Sequence, residues 1–91
     1  MTTKNIQITT SGWQDLITLG SLSLTDGQSY TLTIESNGDN QVCIASTEPE
    51  ESFKGHPVRN SVNFNFTFKT GDKIWVKLSN LRPNVATVII S

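Results

Sequence analysis

The sequence predicts an all-β domain, an antiparallel β-sandwich of Ig-like or jelly-roll-like type with about seven or eight short strands, and three observations carry that expectation. Apolar and polar residues alternate with a period of two in several segments. Ser, Thr and Asn make up about a third of the chain, while Ala, Met and Glu are sparse. Gly, Asp and Asn recur between the alternating runs as turn signals.

The first strand is expected over Asn5 to Thr9, where Ile6 and Ile8 share a face opposite Asn5, Gln7 and Thr9. Gly12 interrupts, and Trp13 to Leu19 reads as a second short strand or an irregular edge, with Leu22 and Leu24 following. Asp26-Gly27 signals a turn. Ser29 to Glu35 gives the clearest strand, with Tyr30, Leu32 and Ile34 on one face. The spacing predicts a hairpin through Asn37-Gly38-Asp39-Asn40 into Gln41 to Ala45. A second hairpin is predicted from Val62, Phe64, Phe66 and Phe68, through Thr70-Gly71-Asp72, to Ile74 to Leu78, with the phenylalanines supplying much of an aromatic core. Asn80 to Asn84, with Pro83, reads as a loop before a last strand over Val85 to Ile90, which is expected to lie beside an earlier strand.

Between the hairpins, Ser46 to Ser61 is long for a connection and is the expected irregular or functional segment. Thr47-Glu48-Pro49-Glu50 resembles a capping box, which predicts one helical turn near residues 48–54. No repeat, linker or low-complexity stretch divides the chain, so residues 1–91 are expected to form one domain.

Length and composition narrow the function. A chain of 91 residues buries only roughly 60 to 65% of its unfolded surface, so a thin core is expected. Cys43 is the sole cysteine and His56 the sole histidine, which removes an intramolecular disulfide and leaves too few ligands for a zinc site. No cofactor is expected. Self-association is then the remaining support for a thin core. The formal charge is −1 with scattered Lys and Arg, giving no nucleic-acid footprint. Val88-Ile89-Ile90 is too short to cross a bilayer, so no membrane partner is expected. Met1 to Asn5 lacks the apolar core of a signal peptide, which points to synthesis in a cytoplasm without secretion.

Catalysis is not expected. His56 would have to act as base for Ser52, Ser61 or Cys43, and the spacing supports none of these. Its place before Pro57 instead suggests a solvated loop histidine. Glu48, Glu50 and Glu51 fit a helix N-terminus better than an acid–base pair, and Cys43 reads as buried and inert. Trp13 and Trp75 could serve as core, sugar-stacking platform or interface anchor. On the returning strand Ile74, Val76 and Leu78 share one face, which turns Trp75 and Lys77 outward. The candidate contact surface is therefore Trp75 and Lys77, with Glu48, Phe53, His56 and Arg59 of the long connection.

Taken in order, Trp13 and Leu16, Gly27-Gln28-Ser29-Tyr30-Thr31-Leu32, Ser36-Asn37-Gly38, Val42-Cys43-Ile44-Ala45, Glu48-Pro49, Gly71-Asp72-Lys73-Ile74-Trp75-Val76-Lys77 and Ala86-Thr87-Val88-Ile89-Ile90-Ser91 form a series of landmarks. The series resembles a group of small all-β virion-associated proteins of tailed bacteriophages and prophages, found as head decoration proteins, head fibres or tail accessory domains. Val58-Arg59-Asn60-Ser61 departs from the Gly- or Pro-Gly-rich turn common in that group. The resemblance implies a structural virion protein, made in the bacterial host cytoplasm, that forms a homotrimer and binds capsid or tail proteins. The alternative is a carbohydrate-binding or host-adhesion module in which Trp13, Trp75 or Tyr30 stacks on a surface glycan.

Overall fold

A computed structural model describes residues 2–9, 12–79 and 84–91. Strands β1 (Thr2–Ile8), β2 (Gln14–Asp15), β3 (Ser29–Ala45), β4 (His56–Thr67), β5 (Lys73–Leu78) and β6 (Asn84–Ile90) are joined by one helical turn, α1 (Leu16–Leu19). All pairings are antiparallel, in a single sheet ordered β1-β6-β3-β5-β2, with β4 on the other side of β3. The predicted all-β class is therefore observed, as a small sandwich closed like a barrel. Among the described residues there are six strands, or seven if the two halves of β3 are counted apart.

The organising element is β3. It runs for 17 residues without turning back, and β4 accompanies it from Ser29↔Thr67 to Val42↔His56, with a register shift between Glu35 and Asp39. On its opposite edge β6 pairs with Leu32–Ser36 and β5 with Asn40–Ala45. The ladder is sharply bent at the irregularity. His56 and Phe64 lie eight residues apart on β4, about 26 Å if the strand were straight, yet their ring centroids are 6.4 Å apart. The bend thus folds one long hairpin into two facing layers, β1-β6-β3-β4 and β4-β3-β5-β2.

This arrangement corrects both predicted hairpins. Asn37 to Asn40 does not reverse the chain, because its residues serve the bend instead. Asn40 is 1% exposed and forms a reciprocal amide pair with Asn84: Asn40 Nδ2 donates to Asn84 Oδ1 at 3.0 Å, and Asn84 Nδ2 donates to Asn40 Oδ1 at 3.1 Å. The Ser36 hydroxyl donates to Asn84 Oδ1 and accepts from Asn40 Nδ2 and the Gly38 N–H. Buried amides must find partners, and here they clamp the corner. Gly38 is needed for closeness, since a Cβ there would stand 2.6 Å from Asn84 Nδ2. The second predicted hairpin fails because β4 and β5 flank opposite edges of β3, and residues 68–72 cross between the layers. That crossing is pinned by Asp26, whose carboxylate accepts from the Thr70 N–H at 2.7 Å and hydroxyl at 3.1 Å.

The core is aliphatic. Ile6, Ile8, Leu16, Leu32, Ile34, Val42, Val58, Ile74, Val76, Ala86, Val88 and Ile90 fill it, in the alternating pattern that marked β1, β5 and β6 in the sequence. Phe64 and Phe66 pack against its margin and stay half-buried, as does Phe68, so the expected aromatic core is not formed. Phe64 and Phe66 sit on an outermost strand, where among the described residues one flank has no neighbouring strand to cover the rings. The last strand lies beside β1 and β3 as expected. Of the predicted 80–84 loop, residues 80–83 fall outside the described residues and Asn84 opens β6.

The Trp13 to Leu19 segment, expected as a short strand or irregular edge, holds the two-residue edge strand β2 and then helical turn α1. Asp15 caps it, accepting from the Ile17 N–H at 3.0 Å and the Thr18 hydroxyl at 2.6 Å, and the Gly20 N–H closes on Leu16 O. Residues 48–54, by contrast, hold a single turn closed by Phe53 N–H on Glu50 O at 2.9 Å. The predicted capping box does not start a helix there, because the segment is drawn down onto the sheet.

Candidate functional site

Alternation along β5 buries Ile74, Val76 and Leu78 and places Lys73, Trp75 and Lys77 on the other face. Cross-strand register sets them against Ala45, Cys43 and Gln41 of β3. Residues 46–55, which connect β3 to β4, fold back over this outer face as a strap. The irregular part of the long connection is thus shorter than the expected Ser46 to Ser61, since 56–61 belongs to β4.

The strap is held by two side chains reaching up from beneath. Trp13 is 7% exposed and its indole N–H donates to Glu50 O at 3.0 Å. Lys77, also 7% exposed, donates from Nζ to Glu51 O and, at 2.8 Å, to Phe53 O. Its ammonium lies 4.7 Å from the Trp13 ring centroid. Two carbonyl dipoles and an aromatic face therefore compensate a cation removed from water. At the strap's end, the Gly55 N–H donates to Gln41 Oε1 at 3.4 Å. A Cβ on Gly55 would meet Val42 O at 2.5 Å and Trp13 Cη2 at 2.9 Å, so only glycine allows this descent.

Pinned in this way, the strap presents Phe53, 48% exposed, tilted against Trp13 with centroids 6.3 Å apart. Glu48, Glu50 and Glu51 are exposed on the same strap, as is Lys54, and Glu50 lines a cavity together with Phe53. Beneath lies an open apolar cavity of about 270 Å³ lined by Cys43, Ala45, Thr47, Pro49, Glu50 and Phe53. Trp75 occupies the outer face as predicted but is half-buried, its indole N–H donating to Ala45 O at 3.0 Å. Cys43 is partly rather than fully buried, and the burial it has pushes its thiol pKa up, which keeps it protonated and poorly nucleophilic near neutral pH.

No known family, curated protein or solved structure matches this chain.

Of the six sequence-predicted contact residues, Phe53 and Lys77 come together, with Trp75 on the same face and Glu48 on the strap. His56 and Arg59 stand apart. His56 is an exposed residue of β4, not of a loop, and faces the inner side opposite Val42. There it borders a second cleft of about 360 Å³ with Val42, Ile44 and Phe64. Arg59 is opposite Asp39 at the bend. Lys77 was expected as a surface charge and proves to be a buried tether. Trp13 as its partner was invisible in sequence, because 64 positions separate residues that only β2–β5 pairing brings close. Tyr30 is half-buried against Phe66, its hydroxyl accepting from the Thr25 N–H. Among the described residues, no group of three or more His, Cys, Asp or Glu is placed to hold a metal ion.

Proposed function

We propose that this chain is an assembly component and not an enzyme, a structural virion protein of a tailed bacteriophage that docks on capsid or tail protein through the strap. The observation that carries the proposal is the pinning of residues 46–55 by Lys77 and Trp13, which fixes Phe53 as a protruding aromatic anchor. An anchor held in place before binding loses little conformational freedom on docking, the usual property of an interface hot spot. Its surroundings define the complement: an apolar pocket for the Phe53 ring, bordered by Lys or Arg that face Glu48, Glu50 and Glu51. The landmark order in the sequence supplies the virion context.

Peptide mass spectrometry of purified virions from the phage or prophage encoding the chain tests the context, and the chain should be found in stoichiometric amounts. Phe53→Ser should reduce its incorporation at least tenfold while leaving the purified protein folded. Absence from virions would refute the virion role, and full incorporation of the Phe53 variant would refute the anchor. Binding to a glycan array that is lost on Trp75→Ser would replace this proposal with the carbohydrate-binding alternative.

A further inference from the structure

Strand β4 leaves one flank of the molecule unusually open. Among the described residues it is hydrogen-bonded to β3 alone, over 12 residues. Sheet edges invite pairing with other chains, and proteins ordinarily blunt them with charge, proline or shortness. The other two outermost strands obey this: β2 has two residues, and the seven-residue β1 carries Lys4. β4 carries Pro57 and Arg59 only ahead of Asn60, and from Asn60 to its end at Thr67 it contains no charge, no proline and no glycine.

The direction of the free backbone groups can be worked out. Phe68 N–H donates to Gln28 O across the β3–β4 ladder, and Thr31 exchanges both its bonds with Ser91 on the side away from β4. Alternation then turns the N–H and C=O of Val62, Phe64 and Phe66 toward β3, and those of Ser61, Asn63, Asn65 and Thr67 outward. An incoming strand would meet these outward groups.

We propose that the occupant of this edge is a second copy of the same chain, its β4 running antiparallel about a twofold axis at Phe64. In that register Asn63 pairs with Asn65 and Ser61 with Thr67 of the other copy, which satisfies all four outward-facing residues of each. Phe64 meets its own counterpart in a non-hydrogen-bonded position, where side chains approach most closely. Val62 faces Phe66. Apolar residues therefore extend the half-buried aromatic margin from one copy to the next, amides face amides, and no charges oppose each other. Shifting the axis to Asn63 or Asn65 leaves outward groups unpaired at one end.

The contact is a narrow strip about 26 Å long, smaller than the roughly 800 Å² per partner of a standard interface. Association is thus concentration-dependent. A twofold pair also differs from the threefold assembly that the phage resemblance implies. The inference concerns the purified chain and stands independently of the virion proposal.

Sedimentation equilibrium of the full chain from about 10 μM to 1 mM should show a monomer–dimer equilibrium. Introducing like charges that face one another, Asn63→Lys with Asn65→Lys, should weaken it at least tenfold. Mixing that variant with the Asn63→Glu, Asn65→Glu variant should restore pairing between them. Should these variants not fold, amide exchange in the unaltered chain decides, since Ser61, Asn63, Asn65 and Thr67 should become protected as concentration rises. A monomer at all concentrations, a trimer, or exchange at these amides that is independent of concentration overturns the proposal. So does a β4 edge that pairs only with a different protein.

Discussion

Replacing Asn40 by Leu is the sharpest perturbation of the bend. The side chain is 1% exposed, and its loss removes the reciprocal bonds to Asn84 and the bond to Ser36 Oγ. Leucine keeps the branched skeleton but is bulkier, so overpacking at the corner adds to the cost of polar groups left without partners. The Asn84 amide loses its acceptor, and its carbonyl keeps only the Ser36 hydroxyl. Stranding the buried Asn84 amide costs about 1–3 kcal/mol and overpacking adds about 1–3 kcal/mol, so the variant should lose roughly 2–5 kcal/mol. For 91 residues the total stability is about 5–14 kcal/mol, which makes that loss a large share. Urea unfolding should show the midpoint falling while the slope is preserved. Asn84→Leu should behave alike, and the double variant should lose clearly less than the sum, with a coupling energy of about 1–3 kcal/mol. Simple additivity, or a single-variant loss below about 0.5 kcal/mol, would refute the idea that the amide pair holds the corner.

Three further outcomes follow from the strap and the crossing. Lys77→Met should free residues 46–55, seen as faster amide exchange across the strap and a red-shifted tryptophan emission, with a global loss of only about 1–2 kcal/mol because the released carbonyls meet water. Gly55→Ala should destabilise by about 1–3 kcal/mol through the clash with Val42 O and Trp13, and chemical denaturation measures it. The bonds from the Thr70 N–H and hydroxyl hold the Asp26 carboxyl below its ordinary pKa. Its contribution to stability is therefore present above the unfolded carboxyl value of about 3.9 and is lost as the pH falls through the lower folded value. An NMR titration of its carboxyl carbon should give a depressed midpoint, which Thr70→Val should bring only part of the way back, since the N–H bond, the larger cause, remains.

The strands were legible because each is written in its own residues: Ile6 and Ile8, Leu32 and Ile34, Ile74 and Val76 declare an inner face by alternation alone. Their pairing was not. Alternation cannot distinguish a turn from a bend, and Asn37-Gly38-Asp39-Asn40 has the composition of a hairpin while acting as the corner of a continuous strand. What decides between them is the buried amide of Asn84, distant in sequence, which accepts Asn40 only if the chain runs on. The phenylalanines of β4 misled for a related reason: their inward direction was right, but how deeply an inward side chain is buried depends on neighbours on both flanks.

The strap shows the same division at the candidate site. Exposure of Phe53 and the outward direction of Lys77 followed from local pattern, whereas the contact between them needs the sheet in place. A lysine on an outward strand position is ordinarily solvated. Here the ten residues after β3 are too many for a tight turn and too few to leave the surface, so they lie down across β5 and enclose the ammonium. The carbonyls of Glu51 and Phe53 then replace its water. The strap's acidic side chains are left free of that cation, because Lys77 bonds to backbone and not to carboxylate. Their negative charge consequently remains available at the surface beside Phe53, and a docking partner that buried the ring without offering basic groups would have to desolvate those carboxylates unpaired. Charge reversal at Glu48 and Glu51 should accordingly slow docking and remove its salt dependence, an effect that removal of the Phe53 ring, which acts on dissociation, should not reproduce.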